Sequence, residues 1–174
     1  AVLGNHDVKQ NAFTQIMYSL KSDYWRMPNY EYSFKTAQAM FYGLNTNCPF
    51  SYERLRIKLN RDEKELKTNT SKRPWKIAFG HHSVYSNGTH GDTDVIRRNY
   101  WNWILEGRVD LYLSGHNHNL ALFKYDKSEI NYVISGAGGK NYRSTSERKK
   151  LNKSKAFNLF TYNDTGFVWL DISR

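Results

Sequence analysis

An α/β fold is the class this sequence predicts, on three observations. Between Trp75 and Leu113 the order is strand, loop, helix, strand, loop, the alternation that builds a parallel sheet flanked by helices. Three short apolar segments each run into a glycine followed within two residues by a histidine: Gly4-Asn5-His6, Gly80-His81 and Gly115-His116. Beyond residue 119 the pattern changes to paired strand-like runs with short polar turns, so the last third reads as antiparallel.

Taken in order, Ala1-Val2-Leu3 reads as the end of a buried strand entering a Gly4-Asn5 turn. Asn11 to Leu20 has Phe13, Ile16, Met17 and Leu20 at helical spacing. Tyr30 to Phe34 alternates aromatic and polar residues as a half-buried strand does, and Met40 to Leu44 reads as the next strand. Ser51 to Lys67 is highly charged, with Leu55, Leu59 and Leu66 able to share one helix face. Pro74 breaks the chain before a strand, Trp75 to Phe79, that delivers Gly80-His81 at its end. Asp92 or Thr93 can cap a helix whose apolar residues include Ile96, Tyr100, Trp103 and Ile104, and Gly107 ends it. Val109 to Leu113 is a short buried strand that delivers Gly115-His116. Leu120–Tyr125 and Ile130–Ile134 flank Asp126-Lys127-Ser128 as a hairpin, and Phe157–Tyr162 and Phe167–Ile172 flank residues 163–166 as another. In open α/β sheets ligands sit beyond the carboxyl ends of the strands, where all three histidine motifs are expected here.

Composition excludes several classes. Hydrophobic residues make up 39% of the 174 and aromatics 16%, too much for a disordered chain and enough for one domain with a core. No apolar run reaches the length of a membrane span, and no signal peptide is visible. The single cysteine, Cys48, has no internal disulfide partner and reads as a free buried thiol. The net charge is +10, and Lys140 to Lys155 holds seven basic residues against Glu147 alone. Such a run is a solvated loop, a steering patch for an anionic substrate, or a nucleic-acid contact, and no nucleic-acid motif accompanies it.

All six histidines fall in three motifs. They are Gly4-Asn5-His6-Asp7, then Gly80-His81-His82 continuing through Asn87-Gly88-Thr89 to His90-Gly91-Asp92, then Gly115-His116-Asn117-His118. Imidazole is both the commonest metal ligand and the commonest acid or base near neutral pH, so this grouping points to a metal-assisted reaction centre. His-x-His sends two imidazoles to related but different positions, and Gly115 allows a sharp turn there. Gly-Asn-His-Asp is either a turn or a site. As a site, Asn5 supplies a neutral oxygen and Asp7 can take a proton from one ring nitrogen of His6, fixing its tautomer. Neighbours on a strand point to opposite faces, so of His81 and His82 one is expected as a ligand and the other as a supporting or packing residue. His90 lies in a Gly- and Ser-rich loop able to close over a site.

Together, and in this order, these motifs resemble those of the calcineurin-like metallophosphoesterases. More narrowly, the chain resembles purple acid phosphatases of the small, tartrate-resistant type. The resemblance also rests on Gln15-Ile16-Met17-Tyr18-Ser19, Ser83-Val84-Tyr85-Ser86, Asn119-Leu120 and Ser135-Gly136-Ala137-Gly138, and spans nearly the whole chain. It implies an αββα sandwich of mixed sheets, here without its N-terminal strands and last C-terminal strands, and a single partial domain over residues 1–174. It further implies that Asn5, His81 and His116 match ligands of a divalent metal (iron, zinc or manganese) and His118 a ligand of an iron(III). His6 and His90 match non-ligand histidines that contact the phosphoryl group and move protons, and no role transfers to His82.

The implied activity is hydrolysis of phosphate monoesters by attack of a metal-bound hydroxide, with small phosphorylated compounds or phosphoproteins as substrates, in a secreted, periplasmic or lysosome-like compartment. A phosphodiesterase of the same superfamily and a non-catalytic binding protein are the alternatives. Motifs that supply two aspartates and a tyrosinate lie upstream of Gly-Asn-His-Asp in the family. Only Ala1-Val2-Leu3 precede Gly4, so the resemblance implies part of a longer phosphatase or one piece of a cleaved one. Asn-x-Ser/Thr occurs at Asn69, Asn87, Asn152 and Asn163, and a glycan at Asn87 would crowd His90.

Overall fold

The computed structural model describes residues 1–9, 11–47, 56–62, 74–140 and 154–173. Its seven strands form one mixed sheet. They are β1 (Tyr32–Lys35), β2 (Ala39–Leu44), β3 (Trp75–Gly80), β4 (Leu111–Ser114), β5 (Leu120–Lys124), β6 (Asn131–Ser135) and β7 (Phe157–Tyr162), in spatial order β1-β2-β3-β4-β6-β5-β7. The four central strands β2, β3, β4 and β6 run parallel, while β1 and the β5–β7 pair are antiparallel to their neighbours. The expected α/β character with an antiparallel last third is therefore present, and the first predicted hairpin is β5–β6.

Register gives the sheet two faces. Tyr42, Ala78, Tyr112, Tyr132 and Phe123 are cross-strand partners in sequence across the sheet, so they share one face. That face packs on helix α3 (Val95–Leu105) through Trp101, Ile104 and Leu105, and on Leu59 of a helical segment α2 described over 56–62. The Tyr42 hydroxyl also donates to Asp62 in that segment, 3.2 Å away. Burial and the adjacent carboxylate push the Tyr42 phenol well above its usual range. Glycine at the end of α3 is as expected, with Gly107 at φ 68°.

Several expectations are corrected. Asp94, not Asp92 or Thr93, caps α3, accepting from the Arg97 amide at 3.0 Å. The Asp92 carboxylate instead takes the Ser86 and Lys155 amides and the Ser154 hydroxyl. The helix is rotated about one residue from the predicted face, so Trp101 is buried and Trp103 exposed, and the Ile96 side chain lies outside what is described. Helix α1 covers only Phe13–Tyr18, and Phe13, Met17 and Leu20 are exposed rather than packed. Ala1-Val2-Leu3 is not a strand, because its neighbours are reached by isolated bonds and not a ladder, although Leu3 is buried. Residues 167–172 are apolar but form no strand, so the second hairpin is absent and β7 pairs with β5 instead. Leu55, Leu66, Cys48, Asn69, Asn152 and the basic stretch 141–153 lie outside the described residues.

Candidate metal centre

The parallel strands end together, and the loops that follow them build the site. His81 and His82 follow β3, Gly115-His116 follows β4, Thr46 lies just past β2 and Gly136 just past β6. Two of the three histidine motifs thus leave strand ends. The third, Asn5-His6, sits on a turn fixed by the Gly4 amide donating to Asp7 Oδ2 at 2.7 Å. Asp7 spends its carboxylate there and on the Gln15 amide rather than on the His6 ring, and His6 is exposed. The Asn47 amide holds the same segment by donating to the Leu3 carbonyl at 3.0 Å.

His81 Nε2 lies 2.8 Å from Asn5 Oδ1 and 3.0 Å from His116 Nδ1. Donor atoms bound to a common metal at roughly 2.1 Å stand about 3 Å apart, so these separations fit adjacent ligands of one ion. Neutral imidazoles with an amide oxygen suit a borderline divalent metal. His82 comes into the same group: one ring nitrogen of each of His81, His82 and His116 lies within 4.8 Å of the other two. The rule that adjacent residues face apart fails here because both histidines lie past the last residue of β3, on a bend. Burial lowers all three imidazoles: His82 to about 4 and His116 to about 3, with positive neighbours adding to it, and His81 against a partial offset by the Asp7 carboxylate. They are therefore neutral at pH 7, the form that binds metal.

His90 stacks on His116 at 4.1 Å between ring centroids and lies 6.4 Å from His118, with its own ring exposed to solvent. Four of the five predicted imidazoles, His81, His90, His116 and His118, are thus brought together, and Asn5 joins them. The side chain that organises the loops is one the sequence did not single out. Asn117 is fully buried. Its Oδ1 accepts the His90 amide at 3.1 Å and its Nδ2 donates to Ser83 Oγ at 2.8 Å. A Cβ on Gly88 would collide with the Asn117 side chain, and one on Gly136 with its carbonyl oxygen. Glycine is required at these two positions by close approach, which is the signal that could have found Asn117. The left-handed backbone falls on His116, at φ 62°, directly after Gly115. Asn87 is engaged at both ends of its amide, with Thr161 and Asn119, so a glycan there would break these contacts as well as crowd His90.

A mixed α/β sheet whose parallel strand ends gather imidazoles and an amide oxygen defines a protein with a metal-binding edge. Residues 1–120 match the family described as Calcineurin-like phosphoesterase, and the chain belongs to that family. Purple acid phosphatase 17 of Arabidopsis thaliana is 36% identical over 104 residues, covering 60% of this chain and 30% of that protein. Human tartrate-resistant acid phosphatase type 5 is 27% identical over 195 aligned positions, covering 98% of this chain and 58% of that protein. The chain therefore spans between about a third and three-fifths of the length of these two relatives. Among solved structures, Plasmodium GAP50, described as the anchor in the inner membrane complex, superposes with a TM-score of 0.68 at 24% identity. It covers 95% of this chain and 55% of that one. Yellow lupin purple acid phosphatase PPD1 superposes at 0.59 and 18% identity, with 95% and 32% covered. Both show the shared metallophosphoesterase fold. No helix among the described residues is long and apolar enough to cross a membrane.

Proposed function

We propose that this chain, as one partial domain over residues 1–174, carries part of a two-metal site that hydrolyses phosphate monoesters in the manner of an acid phosphatase. The observation that supports it most is that His81 Nε2 lies within hydrogen-bond distance of both Asn5 Oδ1 and His116 Nδ1. Asn5, His81 and His116 would hold a divalent ion, and His118 would contribute to a second, ferric one. When bound, the metal pair supplies Lewis-acid polarisation of the phosphoryl group and an activated water. The chain's own residues do the rest. His90, exposed and stacked on His116, presents a ring nitrogen that hands a proton to the leaving oxygen, and His6 is the second candidate for that transfer. The His90 amide bond to Asn117 fixes where that ring sits. Small phosphorylated compounds or phosphoproteins are the substrates this chemistry accepts, and the purple acid phosphatase relatives support a secreted, periplasmic or lysosome-like setting.

The test is turnover of p-nitrophenyl phosphate by the longer protein and by the 174-residue chain alone. The chain alone is expected to show little or none. Turnover by the isolated chain at rates like a full-length relative would refute that, and a longer protein that binds metal yet hydrolyses nothing would leave a binding role. In the longer protein His90→Ala should lower kcat by roughly 10²–10⁴-fold with metal content unchanged. Loss of metal instead makes His90 a ligand.

A further inference from the structure

His90 stands on a loop that needs outside ties to hold its ring in one place. Two of the seven residues in Ser86–Asp92 are glycine, the residue with the most backbone freedom to lose, and Gly91 sits at φ 65°. The bond from the His90 amide to Asn117 fixes the loop at one point. Its two ends are fixed by Asp92. Asp92 Oδ1 accepts the Ser86 amide at 2.8 Å, so the carboxylate closes the loop onto its own beginning. Beside this closure the Thr93 amide donates to the Val84 carbonyl at 3.2 Å.

The same carboxylate also reaches far along the chain. Oδ1 accepts the Ser154 hydroxyl at 2.6 Å, and Oδ2 accepts the Lys155 amide at 2.7 Å. Arg98 Nη1 lies 3.5 Å from Oδ2, and the Arg98 and Asp92 side chains are only 13% and 9% exposed. A carboxylate taken out of water is costly unless donors replace the water, and four donors meet this one. Helix α3 does not need Asp92, because Asp94 caps it. The work of the Asp92 carboxylate is therefore to join the His90 loop to Ser154 and Lys155. A second, independent tie runs the same way: Asn87 Nδ2 donates to Thr161 Oγ1 on β7 at 3.0 Å.

We infer that Asp92 is a positioning residue for His90: its carboxylate pins the His90 loop to Ser154 and Lys155, so the antiparallel last third of the chain helps to set where the His90 ring stands. The consequence for proton transfer rests on the phosphoester reading above, whereas the pinning rests on the hydrogen bonds alone.

The first readout is hydrogen exchange of residues 84–93 in the longer protein, followed by mass spectrometry. In Asp92→Asn an amide nitrogen replaces one acceptor oxygen. Exchange there should become about tenfold faster, the loss of one bond to a charged group, with β3 and β4 unchanged. Ser154→Ala removes a single hydroxyl and should speed the same segment by about threefold. An unchanged rate, or an equal acceleration in β3 and β4, overturns the inference. Should Asp92→Asn fail to fold, Ser154→Ala decides by the same readings.

The second readout is a double-mutant cycle on turnover. Asp92→Asn should lower kcat by about ten- to a hundredfold, with KM and metal content unchanged. In a His90→Ala background it should cause no further loss, because Asp92 acts through His90. The same fold-loss in both backgrounds would mean that Asp92 acts independently of His90, and would overturn its positioning role. The exchange readout needs no turnover, so a longer protein that shows the expected exchange and hydrolyses nothing counts against the hydrolase proposal alone.

Discussion

The face of the sheet that carries Tyr42, Ala78, Tyr112 and Tyr132 is covered by α2 and α3, and its side chains are buried. The opposite face is equally apolar, yet while Ile77 and Val133 on it are buried, Phe34, Phe41, Phe79, Leu113 and Leu122 are half-buried or exposed. Among the described residues, terminal segments reach this second face without closing it. Near β1 an apolar groove of about 810 Å³ remains, with Ile16, Met17, Leu20, Met27, Phe34 and Phe79 on its walls. Leu170 and Ile172 lie with Trp75, Ile77 and Leu111 around a smaller cavity of about 190 Å³. Strands that are apolar on both sides, such as Ala39–Leu44 and Trp75–Gly80, belong in a sheet with a layer on each face. This is what an αββα sandwich provides, with a second sheet where these residues leave the face open. The site lies at the strand ends shared by both faces. Its geometry therefore depends on the covered face for stiffness.

Substitutions sized against this comparison should fall in a definite order. Ile104→Ala empties a position with no exposure in α3 against the covered face, and should cost about 2–5 kcal/mol in urea unfolding. A cost under about 1 kcal/mol would mean that the covered face is not the rigid one. Next comes Gly136→Ala at the strand ends, where a methyl collides with backbone that cannot give way. The expected loss is about 1–3 kcal/mol, together with weaker metal binding, because the Asn117 turn carries His116 and His118. Gly138→Ala is the control: nothing lies near the added methyl, and stability should stay within about 0.5 kcal/mol. Tyr112→Phe removes only the hydroxyl that reaches the His82 carbonyl and should cost about 1 kcal/mol.

Acid gives a gentler probe of the same edge. His82 and His116 are lowered by burial, to about 4 and about 3, from an unfolded value near 6.5. Between those limits the unfolded chain binds protons that the folded chain refuses. Metal-free protein should therefore lose stability as the pH falls from about 6.5 toward 4. In unfolding curves at pH 7 and pH 4.5, His116→Gln should show a smaller drop than the wild type. A drop as large in the variant would place the acid response elsewhere.

The elements that were legible in the sequence are those whose signal is local. The strands β2 to β6 announce themselves by apolar runs between glycines and polar turns, and two of the three histidine motifs by a glycine at a strand end. What escaped depends on contacts between distant segments. Thr46, Asn117 and Tyr112 bond across 27 to 36 positions of chain, and nothing in their own neighbourhoods marks them. The phase of α3 was missed by one residue because Trp101 and Trp103 both fit an apolar stripe, and only the cap at Asp94 and the fit against the sheet choose between them. Residues 167–172 carry a strand's apolar character without a strand's partner, and α1 presents its apolar side to the open groove. Both failures come from the open face, where the pattern of apolar residues asks for a neighbour that the described residues do not supply.

The smallest effects are therefore expected on that face. Leu20 is 77% exposed and Trp169 is 82% exposed, both large apolar side chains left in water. If nothing in this chain packs on them, Leu20→Gln and Trp169→Gln should each change stability by no more than about 0.5 kcal/mol and raise solubility. In the longer protein the same substitutions should cost more, because a second layer covering this face would bury the side chains. The difference between the two backgrounds measures how much of the sheet's stability comes from outside these 174 residues. Equal, small effects in both would mean that the face stays open to solvent even in the longer protein. A large cost in the isolated chain would mean that it is already closed here.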